Sequence, residues 1–278
     1  MSDRFLDAKV ALKVEYNLTD EQLDRIFENF LGHTLQSAED EYKLARVIEN
    51  FLGTSEFKIN ENVFEYNKEW NDEVHYFMRL VATEKMKEVF KALKIDLNDA
   101  NVSDEDEGNI GTPGRIIKMW AGADTHDDRE LLGGRFAKPV RLAKFPNKLG
   151  NRLPIIKEVD LTAVCSHHLA PFSTKFSDKA KVIIAYIPDK FVLGISKLQR
   201  VVRHIAQRGW LQEDLTKAIY DEIAKTAETD SVYVKLKNIK HSCEFLRGAL
   251  SDSDGFTTEY YGGKFMEDPA LLDMVRNY

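Results

Sequence analysis

Apolar residues recur at helical spacing along the first part of the chain. A capping-type sequence, Thr19-Asp20-Glu21, is followed by apolar side chains on one face of a segment that continues to Leu31. This stripe comprises Leu23, Ile26, Phe27 and Phe30. The pattern predicts a helical N-terminal extension over residues 1–70, to which no role is assigned.

Residues 71–155 combine helical patterns with polar connections. Residues 72–93 have the pattern of a long amphipathic helix. Residues 96–109 are acidic and rich in turn-forming residues, which predicts an exposed loop. A short helix is predicted from Thr112-Pro113, because proline is favoured in the first turn. Residues 121–155 are rich in Gly, Asp, Lys and Pro, a composition typical of irregular structure.

The pattern changes at residue 156, where the alternation typical of β-strands begins. Strands are predicted from Ile156 through Val159, Leu161 and Ala163, at 180–187, at 231–239, and as a fourth, broken strand at 244–250 and 257–261. Helices are predicted from Ser196 to about Arg208 and from Gln212 to about Thr226. Residues 156–278 are therefore predicted to form an α+β domain with the order strand, strand, helix, helix, strand, strand.

Composition narrows the class of protein. The chain has 278 residues, of which 43% are hydrophobic and 31% charged, as in an ordinary globular protein. It contains no apolar run long enough for a membrane span, and its charged start is unlike a secretory signal. Only two cysteines are present, which favours a reducing, cytoplasmic location over a disulfide framework. The net charge of −7 argues against general nucleic-acid binding.

Both cysteines lie beside histidines. Cys165 and His168 have the short spacing of a zinc half-site, and Cys243 could add a third ligand. Three protein ligands leave a fourth position for water, as in a catalytic zinc site. The alternative is two buried thiols and a core histidine. The sequence up to this point favours neither interpretation.

A basic segment begins the first predicted helix of the α+β domain. Ser196, Lys197 and Arg200 lie where free backbone N–H groups would suit a phosphate, although a solvated basic face is the simpler interpretation. Arg115 and Lys118 form a second basic pair on one helix face.

Seven ordered segments resemble one family, GTP cyclohydrolase I, over roughly residues 85–278. They are TPGRIIKMW, CSHHLAPF, AYIP, GISKLQRVV, AQRGWLQEDLT, HSCEFLRG and YYGGKF. The resemblance implies a tunnelling fold, in which an antiparallel four-stranded sheet carries two helices on one face. It also implies a zinc enzyme that converts GTP to 7,8-dihydroneopterin triphosphate and formate. The implied reaction begins when a zinc-activated water adds to the purine, helped by histidine acid–base catalysis.

The resemblance also implies roles for individual residues. The zinc ligands are Cys165, His168 and Cys243, and the catalytic histidines are His167 and His241. The substrate-binding residues are Glu213, for guanine, with Gln212 beside it; Ser196, Lys197, Arg200 and Arg247, for the triphosphate; and Arg115 and Lys118, as a further basic pair. The family forms decamers from pentameric rings, so a homo-oligomer, expected to be a decamer, is predicted, with neither nucleic acid nor membrane as a partner. The product could enter folate, biopterin or deazaguanine synthesis.

The chain departs from the family's pattern at a few positions. Ser166 replaces the usual glutamate, the loop after Phe172 is longer, and Gly209-Trp210 replaces a more typical pair. A catalytically silent, zinc-stabilised binding or regulatory protein is therefore the alternative function. A deazaguanine nitrile reductase ranks lower, because it needs a cysteine nucleophile and a nicotinamide cofactor, whereas both cysteines here are predicted metal ligands.

Overall fold

The computed structural model describes residues 2–54, 71–103, 111–122, 131–133, 140–248 and 255–278. The described residues form two compact units, one ending at Gly122 and the other beginning at Leu131. Parts of the predicted loop at 96–109, of the irregular region at 121–155 and of the strand segment at 244–250 lie outside the described residues.

The N-terminal unit is helical. Its helices are α1 (Asp3–Glu15), α2 (Asp20–Leu31), α3 (Ala38–Leu52), α4 (Asp72–Ala92) and α5 (Gly111–Ala121). The predicted start of α2 is confirmed, because Thr19 and Gln22 form a capping box in which each side chain bonds the other residue's backbone N–H. The helices predicted at 72–93 and from Thr112 are confirmed as α4 and α5.

Phenylalanines join the helices of this unit. The Phe5 ring of α1 lies 5.7 Å from that of Phe27 in α2. Phe77 of α4 makes edge contacts with Phe30 of α2 at 5.5 Å and with Phe51 of α3 at 5.7 Å. Burying each ring contributes roughly 1.5–3 kcal/mol. The predicted division at residue 70 therefore separates helices that pack together, because α4 shares the core of α2 and α3.

The second unit is an α+β domain. Its strands are β1 (Lys144–Pro146), β2 (Ile155–Val159), β3 (Thr162–Val164), β4 (Pro171–Ser173), β5 (Lys181–Tyr186), β6 (Phe191–Leu193), β7 (Val232–His241) and β8 (Phe256–Tyr261). Its helices are α6 (Ile195–Ala206), α7 (Gln212–Ala227), α8 (Ser242–Leu246), α9 (Lys264–Glu267) and α10 (Pro269–Arg276), with a 3-10 turn at Thr174–Phe176.

The main sheet is antiparallel. The pairs β2–β5, β5–β7 and β7–β8 form one stretch of it, and the β3–β4 hairpin joins through β4 to the last residues of β7. β1 and β6 form a separate two-stranded sheet. The prediction of four strands is therefore corrected to six strands in the main sheet, counted over the described residues.

The first predicted strand is interrupted at Asp160 and Leu161, because their backbone groups bond Gln199 and Thr174 instead of a neighbouring strand. The N–H of Asp160 donates to Gln199 Oε1 at 2.8 Å. The N–H and C=O of Leu161 both bond to Thr174, at 3.1 and 3.0 Å. The alternating pattern continues through the break, since Leu161 stays buried, so periodicity alone could not reveal it.

The sheet carries packed side chains on both faces. Val182, Ile184 and Tyr186 of β5 point into the core formed with α6 and α7. The intervening residues Ile183 and Ala185 join a second core with Phe265 and Val275 of the C-terminal helices. The prediction of two helices on one face is confirmed for α6 and α7. The opposite face is covered by α9 and α10, which were not predicted.

The predicted strand segment at 244–250 is wrong for its described residues. Ser242–Leu246 form one short helix, and the N–H of Arg247 donates back to the C=O of Cys243 at 3.3 Å. Phe245 and Leu246 are 62% and 73% exposed, so neither occupies the core that a strand would line. No helix in the described ranges is both long and apolar enough to cross a membrane.

One buried carboxylate links two helices of the N-terminal unit. The Glu84 side chain, 5% exposed, accepts hydrogen bonds from Arg25 Nη2 at 2.8 Å and Lys87 Nζ at 2.7 Å. Burial raises the pKa of Glu84, but the bonds from Arg25 and Lys87 outweigh it, so the pKa lies below its ordinary value. This carboxylate therefore stabilises the fold above the ordinary carboxyl pKa, and the contribution is lost as pH falls through the lowered one.

We predict that Glu84→Gln destabilises the N-terminal unit by about 1–3 kcal/mol at pH 7, because two cationic donors lose a buried acceptor. Glu21→Gln is the matched control, since Glu21 bonds the same arginine but is 83% exposed, and its effect should be below about 1 kcal/mol. Urea unfolding of the full chain measures both. The difference between wild type and Glu84→Gln should shrink as the pH falls. Equal losses in the two variants would contradict the assignment.

Candidate active site

Cys165 and His168 lie in the turn that connects β3 to β4. The N–H of Cys165 donates to the C=O of Ala170, and the N–H of Leu169 donates to the C=O of Cys165, both at 2.9 Å. Leu169 takes a left-handed conformation, φ 49°, which lets the chain reverse within this turn. The turn leaves Cys165 Sγ 3.8 Å from His168 Nδ1.

Strand pairing brings the second cysteine to this turn. Phe172 of β4 is opposite His241 at the end of β7, and Ser242 Oγ donates to the C=O of Pro171 at 2.5 Å. Cys243 follows immediately in α8. The ligand atoms of Cys165, His168 and Cys243 lie within 4.8 Å of one another, so the predicted trio is brought together.

The trio fits a metal ion in geometry and charge. Tetrahedral zinc with ordinary bond lengths would space these ligand atoms about 3.6–3.8 Å apart, close to the separation of Cys165 and His168. Burial raises the pKa of Cys243, and the neighbouring Cys165 raises it further. A bound cation would favour the thiolate form of Cys243 and so oppose both effects. Both cysteines are buried, whereas His168 is exposed, so the group could hold a metal ion that is reachable from one side.

His241 is held on two sides. Its ring stacks on Phe172 with centroids 4.3 Å apart and an angle of 14° between the planes. Its Nε2 lies 2.8 Å from Gln212 Oε1. Burial lowers the pKa of His241, and the Glu213 carboxylate opposes that effect. His241 and Glu213 are therefore close enough to interact, as expected for parts of one site.

The start of helix α7 lies close to Cys165, because Trp210, two residues before the helix, pairs with the end of β3. The N–H of Trp210 donates to the C=O of Val164 at 2.8 Å, and the N–H of Ser166 donates to the C=O of Trp210 at 3.2 Å. Trp210 is buried, and its indole Nε1–H donates to the C=O of Ile205 at 2.6 Å. Gln212 and Glu213 therefore follow a rigid connection.

The two predicted substrate-binding residues at the start of α7, Gln212 and Glu213, have different environments. Glu213 is exposed, as a ligand-binding carboxylate should be. Gln212 is buried, with 3% exposure, and its side chain bonds His241 and β8. His167 is exposed, and its ring centroid lies 6.1 Å from that of His168.

The predicted phosphate-binding residues lie at two helix ends. Ser196 and Lys197 are in the first turn of α6, whose N-cap, Gly194, supplies no side-chain hydrogen bond. Arg200 follows on the next turn and is exposed. Arg247 ends α8 and is also exposed. Arg115 and Lys118 lie on α5 of the N-terminal unit, so their role stays a prediction.

Sequence reasoning missed Phe172, which stacks on His241, and two residues at the start of α7: Trp210, which ties that end to β3, and Thr258, which bonds Gln212 and Thr216. Phe172 was noted only as the start of a longer loop, Trp210 only as a departure from a family pattern, and Thr258 not at all. An apolar residue paired across strands with a predicted catalytic histidine is a signal for Phe172, but it requires the strand register. Thr258 gives no such signal, because its contacts depend on the packing of β8 against α7.

A Cys-His-Cys trio that could hold a metal ion, beside an oriented histidine on an α+β fold, is compatible with a metal-dependent hydrolase. The sequence family described as GTP cyclohydrolase I matches residues 83–278. Proteins named GTP cyclohydrolase 1 from Shewanella baltica (strain OS185) and Shewanella oneidensis are each 32% identical over 186 residues, which cover 66% of this chain and 77% of the relative. A third, from Shewanella sp. (strain W3-18-1), is 31% identical over 66% of this chain and 78% of its own.

The chain therefore belongs to the GTP cyclohydrolase I family of enzymes, which confirms the predicted resemblance. The matched region contains the whole metal trio together with His167, His241 and Glu213, as well as α5 of the N-terminal unit.

We predict that Cys165→Ala and Cys243→Ala lose bound metal and activity together, because each removes one of the three predicted ligands and its thiolate charge. Ser166→Ala is the matched control: it changes the neighbouring side chain and leaves all three ligands, so metal should be retained. Elemental analysis of the purified proteins measures metal per chain. Full metal content in both cysteine variants would overturn the ligand assignment.

Proposed function

We propose that this chain hydrolyses GTP to 7,8-dihydroneopterin triphosphate and formate. Family membership over residues 83–278 and the relatives' names support this proposal. The observation that carries it is the convergence of Cys165, His168 and Cys243 from two distant segments, next to His241.

Zinc is the metal we propose for the trio. Two sulfurs and one imidazole nitrogen are ligands that zinc prefers, and three protein ligands are the usual number in catalytic zinc sites. When bound, zinc supplies a water acidified toward neutral pH, which is a hydrolytic nucleophile.

Two histidines are proposed to move protons during the reaction. His241 is already oriented by Gln212 and Phe172. His167 is exposed beside the ligand His168 and can exchange protons with substrate or water. Protonating a purine nitrogen favours addition at the neighbouring carbon, and the later ring-opening and ring-closing steps also need acid–base groups.

The triphosphate is proposed to bind at the start of α6. Gly194 offers no competing side-chain cap, so first-turn N–H groups of α6 could bind an anion, apart from that of Lys197, which donates to the C=O of Gly194 at 2.9 Å. Lys197 and Arg200 add positive charge on the same end of the helix, and Arg247 adds more near Cys243. The exposed Glu213 carboxylate is proposed to accept hydrogen bonds from the guanine ring N–H and amine.

We propose that the α+β domain has the tunnelling fold and that copies of the chain assemble, most simply as the family's decamer. In the described part of the sheet, β2 pairs only with β5 and β8 only with β7, so each presents an open edge. Open edges are places where further strands pair.

Light scattering should show a large homo-oligomer, and a monomer at working concentration would refute this assembly.

The direct test is incubation with GTP, followed by detection of formate and a pterin chromophore. We predict that His241→Ala and His167→Ala retain zinc but slow pterin formation by about 100- to 10,000-fold, the usual contribution of an acid–base group. Wild type that binds zinc but releases no formate would instead be a silent binding protein. If either variant instead loses zinc in proportion to its activity, the substituted histidine binds zinc or positions a residue that does.

We predict that Glu213→Gln sharply lowers GTP turnover with little change in zinc content, because one acceptor oxygen becomes a donor that opposes the guanine amine. Once bound guanine covers this side chain, a mismatched pair of this kind costs about 1–3 kcal/mol. Asp214→Asn is the matched control, since Asp214 is the next exposed acidic residue of the same helix turn. Steady-state kinetics of both variants test whether Glu213 binds guanine. Unchanged GTP kinetics for Glu213→Gln would mean that Glu213 only complements the dipole of α7.

A further inference from the structure

We infer that Gln212 is a positioning residue that fixes which ring nitrogen of His241 carries the proton, rather than a substrate contact. This inference rests on the proposed function, in which His241 moves a proton. It follows from the directions of the hydrogen bonds around the Gln212 amide.

A backbone carbonyl sets the orientation of that amide. Gln212 Nε2 lies 3.3 Å from the C=O of Phe256 and 3.0 Å from Thr258 Oγ1. A carbonyl oxygen only accepts hydrogen bonds, so the amide NH₂ must face Phe256. The amide oxygen therefore faces the opposite side, where His241 Nε2 lies 2.8 Å away.

The neighbouring hydroxyls agree with this orientation. Thr216 Oγ1 donates to the C=O of Gln212 at 2.7 Å, which uses its one proton. Thr258 must then donate in its 2.7 Å bond with Thr216 Oγ1, and this leaves the oxygen of Thr258 free to accept from Gln212 Nε2. Each proton in this network has one consistent position.

The amide oxygen can only accept, so His241 must carry its proton on Nε2. A neutral imidazole has one N–H, and the other ring nitrogen, Nδ1, therefore bears the lone pair. Stacking on Phe172, which is 0% exposed, holds the plane of the ring. Nδ1 is then the ring nitrogen whose lone pair can face the substrate in the proposed reaction, while Nε2 stays bonded to Gln212.

The first test reads the proton position without activity. The protein is labelled with ¹⁵N-histidine, and solid-state ¹⁵N NMR at pH 8, where imidazole is normally neutral, distinguishes ring nitrogens with and without hydrogen. Signals of His241 are identified by their loss in His241→Asn. Wild type should show hydrogen on Nε2, whereas Gln212→Met, which lacks the acceptor, should show the other tautomer or a mixture. Hydrogen on Nδ1 in wild type, or no change in Gln212→Met, overturns the inference.

The second test uses kinetics with GTP. Gln212→Met should lower kcat by about 10- to 100-fold, the usual effect of losing a residue that orients a functional histidine, with KM changed by less than about twofold. Gln212→Glu should retain more activity than Gln212→Met, because a carboxyl group still accepts from Nε2. Thr258→Val is the matched control. It removes one acceptor of the amide but leaves the C=O of Phe256, so kcat should stay within about twofold of wild type.

The outcomes separate the possible roles of Gln212. A raised KM with unchanged kcat in Gln212→Met would mean that Gln212 contacts substrate and would overturn the inference. A loss of kcat in Thr258→Val as large as in Gln212→Met would mean a merely structural role and would also overturn it. If wild type makes no pterin from GTP, the proposed function fails, and the NMR measurement still decides the tautomer.

Discussion

The short ladder between β4 and the end of β7 is the interaction on which the site depends. It consists of the pairs Phe172–His241 and Ser173–Lys240. On one strand it is preceded by the turn that holds Cys165 and His168, and on the other it is followed by Cys243. The same pairing stacks Phe172 on His241. One piece of backbone pairing therefore assembles the metal trio and fixes the plane of the adjacent histidine.

The rest of the domain holds that ladder in place. Leu215, Ile219 and Ile223 form a fully buried stripe that anchors α7 against the sheet. Because α7 is fixed, its first residue reaches both His241 and β8, and the connection through Trp210 ties the start of the helix to β3.

Local patterns predicted much of this molecule, and long-range pairing accounts for what they missed. The helices α2, α4, α6 and α7 and the strands β5 and β7 were predicted, because their apolar residues repeat with a clear period. The break at Leu161 was missed, because side chains of Gln199 and Thr174 cause it and they lie far along the chain. Cys165, His168 and Cys243 were proposed as ligands from spacing and resemblance, and the structure brings them together. The bond from Gln212 to His241 could not be predicted, since it requires the meeting of α7, β7 and β8.

The separation of the metal ligands along the chain has a consequence for the order of folding. Cys165 and His168 need only the tight turn after β3, which forms locally, whereas Cys243 arrives after a long loop has closed and β4 has found β7. Before β4 pairs with β7, the chain thus offers a metal ion only two nearby ligands, Cys165 and His168. Cys243 joins them only in the native topology. A metal ion held by all three ligands would therefore bind the completed fold most tightly. Its binding would stabilise the native pairing of β4 with β7 over other pairings.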